Sequence, residues 1–265
     1  MKEINISISN TIGRRTINQD RACFDNEAYG PDNDSWEFFY TNKIQLDDTY
    51  HIAALADGVT GSFDGTKAAE SVIKKIQNAY REDFFSKPCT KELLDELITA
   101  IISELRWELR ASGRSSATTL SLVIFNASSI AAYNLGDSPI YLLRSGALIP
   151  LYVEHTVGES KLQERQNKHW FHRLFIKKPR EIDFNSLTKC VSTGAPSIDG
   201  NFVKTDWLED DKMILFTDGL TKAIDKETIK NIVSFSTANP ADELIKRSSS
   251  SSDNATVIVI QNSKQ

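Results

Sequence analysis

Two stretches constrain the fold more than any others: Ile52-Ala-Ala-Leu-Ala-Asp57-Gly58-Val-Thr-Gly61 and Met213-Ile-Leu-Phe-Thr-Asp218-Gly219. In each, a short apolar run ends in Asp-Gly. A bounded run of this length reads as a buried strand. The carboxylate then stands at the strand's end, where it can face a cleft instead of the core. Asp-Gly alone is also the commonest hairpin turn, so one copy decides little. Two copies, each fed by a hydrophobic strand, point to two carboxylates delivered to one place. Like charges brought together repel unless a cation lies between them, so the pair implies a metal.

The rest of the chain supplies a frame for such a site. Ile4, Ile6 and Ile8 alternate with polar residues, as in a half-buried strand. The polar segment Thr11 to Arg21 follows and holds Arg15 and Asp20; it is either a solvated loop or an anion-binding Arg beside a metal-binding Asp. Trp36 to Tyr40 reads as a strand. A helix starting near Ser62 aligns Ala69, Val72, Ile73, Ile76 and Tyr80, and a second, capped by Thr90, aligns Leu94, Leu97, Ile98, Ile101 and Leu105. Ser115 to Phe125 reads as one β-branched strand that returns through Ile130 to Leu135 and ends in Gly136-Asp137-Ser138. A hairpin follows around Arg144-Ser-Gly146. A meander with so little helix between its strands makes a largely antiparallel sheet.

Glu154 to Gln166 reads as helical, and Leu187 to Ser192 and Asn201 to Thr205 as strands. Helices are expected over about Lys226 to Val233 and Pro240 to Arg247. The serine run Ser248 to Ser252 reads as a flexible connection. It delivers Asp253-Asn254-Ala-Thr256 to a last strand, Val257 to Ile260. Residues 168–180 form a basic-aromatic patch that suggests a mobile flap beside a site for anions, or plain packing; His169 and His172 in it are too isolated for a metal site. With no linker long enough to separate two units, residues 1–265 read as one domain.

The formal charge of −5 leaves no strongly basic field, so a nucleic-acid partner is not expected. Cys23, Cys89 and Cys190 match no zinc spacing and suit a reducing compartment. There is neither a secretory signal nor an apolar run of the roughly 20 residues a bilayer span needs. The expectation is a cytoplasmic protein, monomeric, without a membrane partner.

Arg15-x4-Asp20, Asp57-Gly58-x-x-Gly61, Gly136-Asp137-Ser138, Asp218-Gly219 and Asp253-Asn254-x-Thr256 together resemble, in order and approximate spacing, the metal-dependent protein phosphatases of the PPM type. These are the 2C-type serine/threonine phosphatases, and the chain is similar to their bacterial members from about Ser7 to Ile260. The resemblance implies an α+β fold in four layers, an α-β-β-α sandwich of two antiparallel sheets flanked by helices. It implies two or three Mn²⁺ or Mg²⁺ ions and a phosphoprotein substrate made by a serine/threonine kinase. Asp57 would bridge two metals, with the Gly58 carbonyl as a further ligand. Asp218 and Asp253 would bind the first metal, Asp20 would hold waters on the metals, and Asp137 with Asp218 would take a third ion. Arg15 would grip the phosphate.

All-oxygen ligands suit hard ions such as Mg²⁺ and Mn²⁺, and paired metals activate water for phosphate-ester hydrolysis. The chain also departs from the family pattern. Val59 stands where many relatives have a His, Thr60 where a second Gly is usual, Gln19 where a Glu is common and Pro139 where an Arg is usual. The flap-like region, about 161–196, matches poorly, so Lys177, Lys178 and Arg180 are substrate-contact candidates from their charge alone. Two alternatives stay open: a weak or inactive relative serving as a binding module, and a hydrolase of small phosphate esters.

Overall fold

Alanines allow the central strand, His51–Asp57 (β5), to be buried on both faces. Ile52, Ala54 and Ala56 point to one side, Ala53 and Leu55 to the other, all fully buried. The alternation is that of any strand, but with both faces apolar the strand can only lie inside a layered molecule. The computed structural model describes residues 2–29, 38–109, 114–156, 160, 187–195, 198–236 and 238–262.

Two six-stranded sheets, antiparallel throughout, carry the fold. The first holds Lys2–Thr11 (β1), Phe39–Leu46 (β4), Ile140–Arg144 (β9), Ala147–Pro150 (β10), Lys212–Phe216 (β13) and Ala255–Asn262 (β14), in the order β10-β9-β13-β14-β1-β4. In the second, β5 joins Asp20–Phe24 (β2), Glu27–Tyr29 (β3), Leu120–Phe125 (β7), Ser129–Leu135 (β8) and Asn201–Asp206 (β12), in the order β12-β8-β7-β5-β2-β3. Ala117–Thr118 (β6) pairs separately with Val191–Ser192 (β11).

Three apolar clusters define the layers. Between the sheets lie Ile4, Ile6, Ile8, Leu55, Val123, Phe125, Met213, Leu215, Ile258 and Ile260. The helices Gly65–Arg81 (α1) and Lys91–Leu109 (α2) cover the outer face of the second sheet through Val72, Ile76, Leu94, Ile98 and Ile101. On the outer face of the first sheet, a one-turn helix Asp218–Thr221 (α3) and the helices Lys226–Phe235 (α4) and Pro240–Ser248 (α5) pack against Ile214, Phe216, Val257 and Val259. This is the expected α+β sandwich. Asp64 caps α1 by accepting from the Lys67 amide at 2.8 Å, and Thr90 caps α2 through the Leu93 amide at 3.4 Å.

The structure corrects several sequence readings. The strand β1 is not half-buried: Ser7 and Ser9 on its polar face are covered too, and the Ser7 hydroxyl accepts from the Ala241 amide of α5 at 3.4 Å. Small hydroxyls let a helix sit where larger polar residues would face water. The Trp36–Tyr40 strand is really β4, running on to Leu46, with Trp36 outside the described residues; Thr41, Lys43 and Gln45 are exposed on this sheet edge and mask the pattern. Ser115–Phe125 breaks at Thr119, which turns to hold Asp57. Of Leu187–Ser192, only Val191–Ser192 is strand, while Leu187 forms an isolated bridge with Thr156. The helical reading of Glu154–Gln166 fails at Thr156 and otherwise, Ser160 apart, falls largely outside the described residues. The serine run is more than a connection, being anchored at two points: Ser248 and Ser251 are buried, and the Ser251 hydroxyl donates to the Gly219 carbonyl at 2.8 Å. Among the described residues no helix is long and apolar enough to cross a membrane.

Candidate active site

The antiparallel pairing of β2 with β5 sets Asp20 directly opposite Asp57. Asp57 closes β5, where its carbonyl accepts from the Thr119 amide at 2.8 Å and the Thr118 hydroxyl at 2.8 Å, and its own amide donates to Thr119 Oγ1 at 3.0 Å. These bonds make the strand end a fixed mount instead of a turn. Burial, reinforced by repulsion from Asp20, Asp218, Asp137 and Asp253, holds the Asp57 carboxyl well above the usual carboxylate range.

Asp20 crosses between the sheets. Its Oδ2 accepts from the Thr217 hydroxyl at 2.9 Å and the Thr256 hydroxyl at 2.8 Å, both carried by the first sheet, while its Oδ1 is buried without a hydrogen-bond partner. Burial lifts its pKa to about 7 against the pull of those two hydroxyls.

Asp218 opens α3 at the end of β13, and Asp253 precedes β14. Gly219 is what brings these segments together, since a Cβ there would lie 1.8 Å from the Asn254 carbonyl oxygen. Gly13, at φ +60°, packs against the Asp253 carbonyl, where a Cβ would lie 2.3 Å from the oxygen. Asn254 ties the Arg15 loop down: its Nδ2 donates to the Ile12 and Ile17 carbonyls at 2.9 and 3.0 Å, and its Oδ1 accepts from the Gln19 amide at 2.9 Å. The Arg15 guanidinium forms a fork onto Asp253, Nε to Oδ1 at 2.8 Å and NH2 to Oδ2 at 2.9 Å. Lys222 Nζ lies 2.7 Å from Asp218 Oδ2 and 2.7 Å from Asp253 Oδ2. Burial pushes the Asp253 carboxyl up, but these two cations outweigh it and leave the group below the usual value.

Asp137 follows Gly136, whose φ of +110° and approach to Thr119 require glycine. His155 holds this turn from behind, its Nδ1 accepting from the Gly136 amide at 3.1 Å and its own amide donating to the Gly136 carbonyl at 3.1 Å. Burial, then the charge of Asp218, raises the Asp137 carboxyl to about 6. Two departures from the family pattern meet each other: the Thr60 hydroxyl donates to Gln19 Oε1 at 3.2 Å. Gly58 has a packing role, because a Cβ there would meet the Gly65 carbonyl at 2.6 Å.

Asp20, Asp57, Asp137, Asp218 and Asp253 therefore share one electrostatic field, fed by both sheets, with Arg15 and Lys222 as the cations paired to it. Five carboxyls share two cations. Among the described residues no three His, Cys, Asp or Glu side chains stand close enough together to hold a metal ion as they are. The donor chemistry nevertheless fits a hard divalent ion: carboxylate oxygens only, one of them buried and orphaned on Asp20, two carboxyls forced toward their neutral forms by burial and mutual repulsion. Cys23 and Cys89 are free, buried thiols pushed up to about 12 and about 11, so neither is a nucleophile here.

Sequence reasoning missed Lys222, the inter-sheet hydroxyls of Thr217 and Thr256, and His155. Lys222 follows Asp218 by four positions, a spacing that marks an ion pair on a helix. Nothing in sequence signals its second bond to Asp253. Lys177, Lys178 and Arg180 lie outside the described residues, as do His169 and His172.

The comparisons agree with this architecture. The chain is 24% identical to the serine/threonine phosphatase stp of Listeria monocytogenes serovar 1/2a, over 81% of this chain and 85% of the relative. It is 26% identical to the serine/threonine protein phosphatase PstP of Mycobacterium tuberculosis, over 78% of this chain and 40% of that longer relative. The solved catalytic domain of PstP in complex with two manganese ions superposes with a TM-score of 0.70 at 20% identity, covering 99% of this chain and all of that one. The family model for protein phosphatase 2C matches residues 31–255, and the chain belongs to that family, the PPM-type protein-serine/threonine phosphatases, on the side of its bacterial members.

Proposed function

We propose that this protein removes phosphate from phosphoserine and phosphothreonine residues of proteins, by attack of water assisted by divalent metal ions held among Asp20, Asp57, Asp137, Asp218 and Asp253. The single observation that carries this reading is the crowding of five Asp carboxyls where the two sheets meet, in a family of protein phosphatases. Asp57, with the Gly58 carbonyl, is assigned to two core ions. Asp218 and Asp253 are assigned to the first of these, Asp20 to the waters around them, and Asp137 with Asp218 to a third. Bound there, Mn²⁺ or Mg²⁺ supplies charge neutralisation and an acidified water.

The chain's own residues do the rest. Arg15, partly exposed at the rim, offers a planar fork that matches two phosphoryl oxygens, and it exchanges Asp253 for substrate. Thr217 and Thr256 keep Asp20 Oδ2 occupied, which leaves the unpartnered Oδ1 for the waters around the ions. Val59 has no proton to give, so the leaving alkoxide is protonated by water. The substrates are products of a serine/threonine kinase in the cytoplasm, and the enzyme acts as a monomer.

The test is hydrolysis of a phosphothreonine peptide by the purified protein with Mn²⁺, with Mg²⁺ and with excess EDTA, against a phosphotyrosine peptide. Turnover is expected only with metal and on the phosphothreonine peptide. Asp57→Ala is expected to lower it by about three orders of magnitude or more. Activity that persists in EDTA overturns the reading.

A further inference from the structure

The Lys222 ammonium stands in contact with Asp218 and Asp253 at once, 2.7 Å from an oxygen of each. These carboxylates come from segments held together by the close approach of Gly219 to Asn254 and by the Ser251 hydroxyl on the Gly219 carbonyl. Lys222 is the C-cap that follows α3, and its side chain is 39% exposed, with Asp218 at 33% and Asp253 at 19%. The ammonium thus bridges the two carboxylates. Asp253 is doubly committed, since Arg15 takes both of its oxygens.

A divalent ion drawn to this pair needs the oxygens that Lys222 holds. It must also approach the positive charge of the Lys222 ammonium, which repels it. The long, half-exposed lysine stem can swing into water when the ion arrives. We propose that Lys222 is a built-in counter-ion that competes with divalent metal for Asp218 and Asp253. On this view it keeps the site folded when metal is scarce and sets the metal concentration at which the pair fills. The proposal rests on the reading of Asp218 and Asp253 as metal ligands.

The experiment compares the full chain with Lys222→Met, which keeps the stem and removes the charge, and with Lys222→Arg, which keeps the charge. Calorimetric titration with Mn²⁺ is paired with thermal melts in EDTA and in Mn²⁺. Lys222→Met is expected to bind Mn²⁺ at least about tenfold more tightly. It should melt several degrees lower in EDTA and gain more than the natural chain from added Mn²⁺. Lys222→Arg should stay near the natural chain in all three. If Lys222→Met does not fold in EDTA, Lys222→Gln, whose amide can still donate to a carboxylate, takes its place. Equal or weaker Mn²⁺ binding by the uncharged variants overturns the competition. If neither the natural chain nor the uncharged variants bind Mn²⁺, the ligand assignment itself fails, which is a distinguishable result.

Discussion

The Asp20 side chain shows what the site demands of a residue. It is 1% exposed, has one oxygen shared by two hydroxyls and the other unpartnered, and holds its proton up to about pH 7 instead of the usual 3.8. Between about pH 4 and 7 the folded chain keeps a proton that the unfolded chain releases, so stability without metal falls as pH rises through that window. Asp20→Asn keeps an acceptor for Thr217 and Thr256 and removes the buried charge. In EDTA at pH 8 the variant is expected to be more stable than the natural protein by on the order of 2 kcal/mol. That gain should shrink toward pH 5, while metal-dependent turnover drops. Urea unfolding at the two pH values checks this; a variant less stable than the parent at pH 8 overturns it. A carboxylate whose loss stabilises the protein is kept for another reason than folding.

At the scale of elements, the site depends on two close crossings of backbone, Gly219 on Asn254 and Gly13 on Asp253. Gly219→Ala would force its Cβ to 1.8 Å from a carbonyl oxygen, and no flexible side chain is there to give way. It is expected to cost more than about 3 kcal/mol or to prevent folding. Ser251→Ala, which removes the hydroxyl that donates to the Gly219 carbonyl and accepts from the Asp253 amide, should cost about 1–2 kcal/mol. Denaturant midpoints for the pair separate the steric demand from the hydrogen bond.

The strands that carry Asp57 and Asp218 were legible because apolar runs ending in Asp-Gly leave few options, and the α1 and α2 stripes because their buried faces repeat at helical spacing. The outward residues Thr41, Lys43 and Gln45 hid an edge strand. Five consecutive serines looked flexible since nothing local reveals that Ser251 closes onto a residue 32 positions away. Lys222 was missed for the same reason: its i,i+4 bond is local, but its bond to Asp253 exists only after the fold.

For the molecule as a whole, the residues of the site are divided between the sheets. Asp20 and Asp57 belong to the second sheet, and Asp218, Asp253, Thr217 and Thr256 to the first or its borders. Mn²⁺ bound across that division should stabilise both halves, by about 2.7 kcal/mol at a hundred times the dissociation constant, and EDTA should reverse the gain. Calorimetric melts at graded Mn²⁺ check this, and a melting point independent of Mn²⁺ would contradict it.

The hydroxyl bonds onto Asp20 span 197 and 236 residues of sequence, which gives the site a place in time as well as in space. They join one sheet to the other, so they are expected to close only once the sheets have met, β1 and β14 being themselves paired across the whole chain. Metal added during refolding should therefore leave the main folding rate unchanged and slow only the unfolding rate. The site would then act as a latch, set once the two halves of the sandwich have found each other and the first thing to be released when they part.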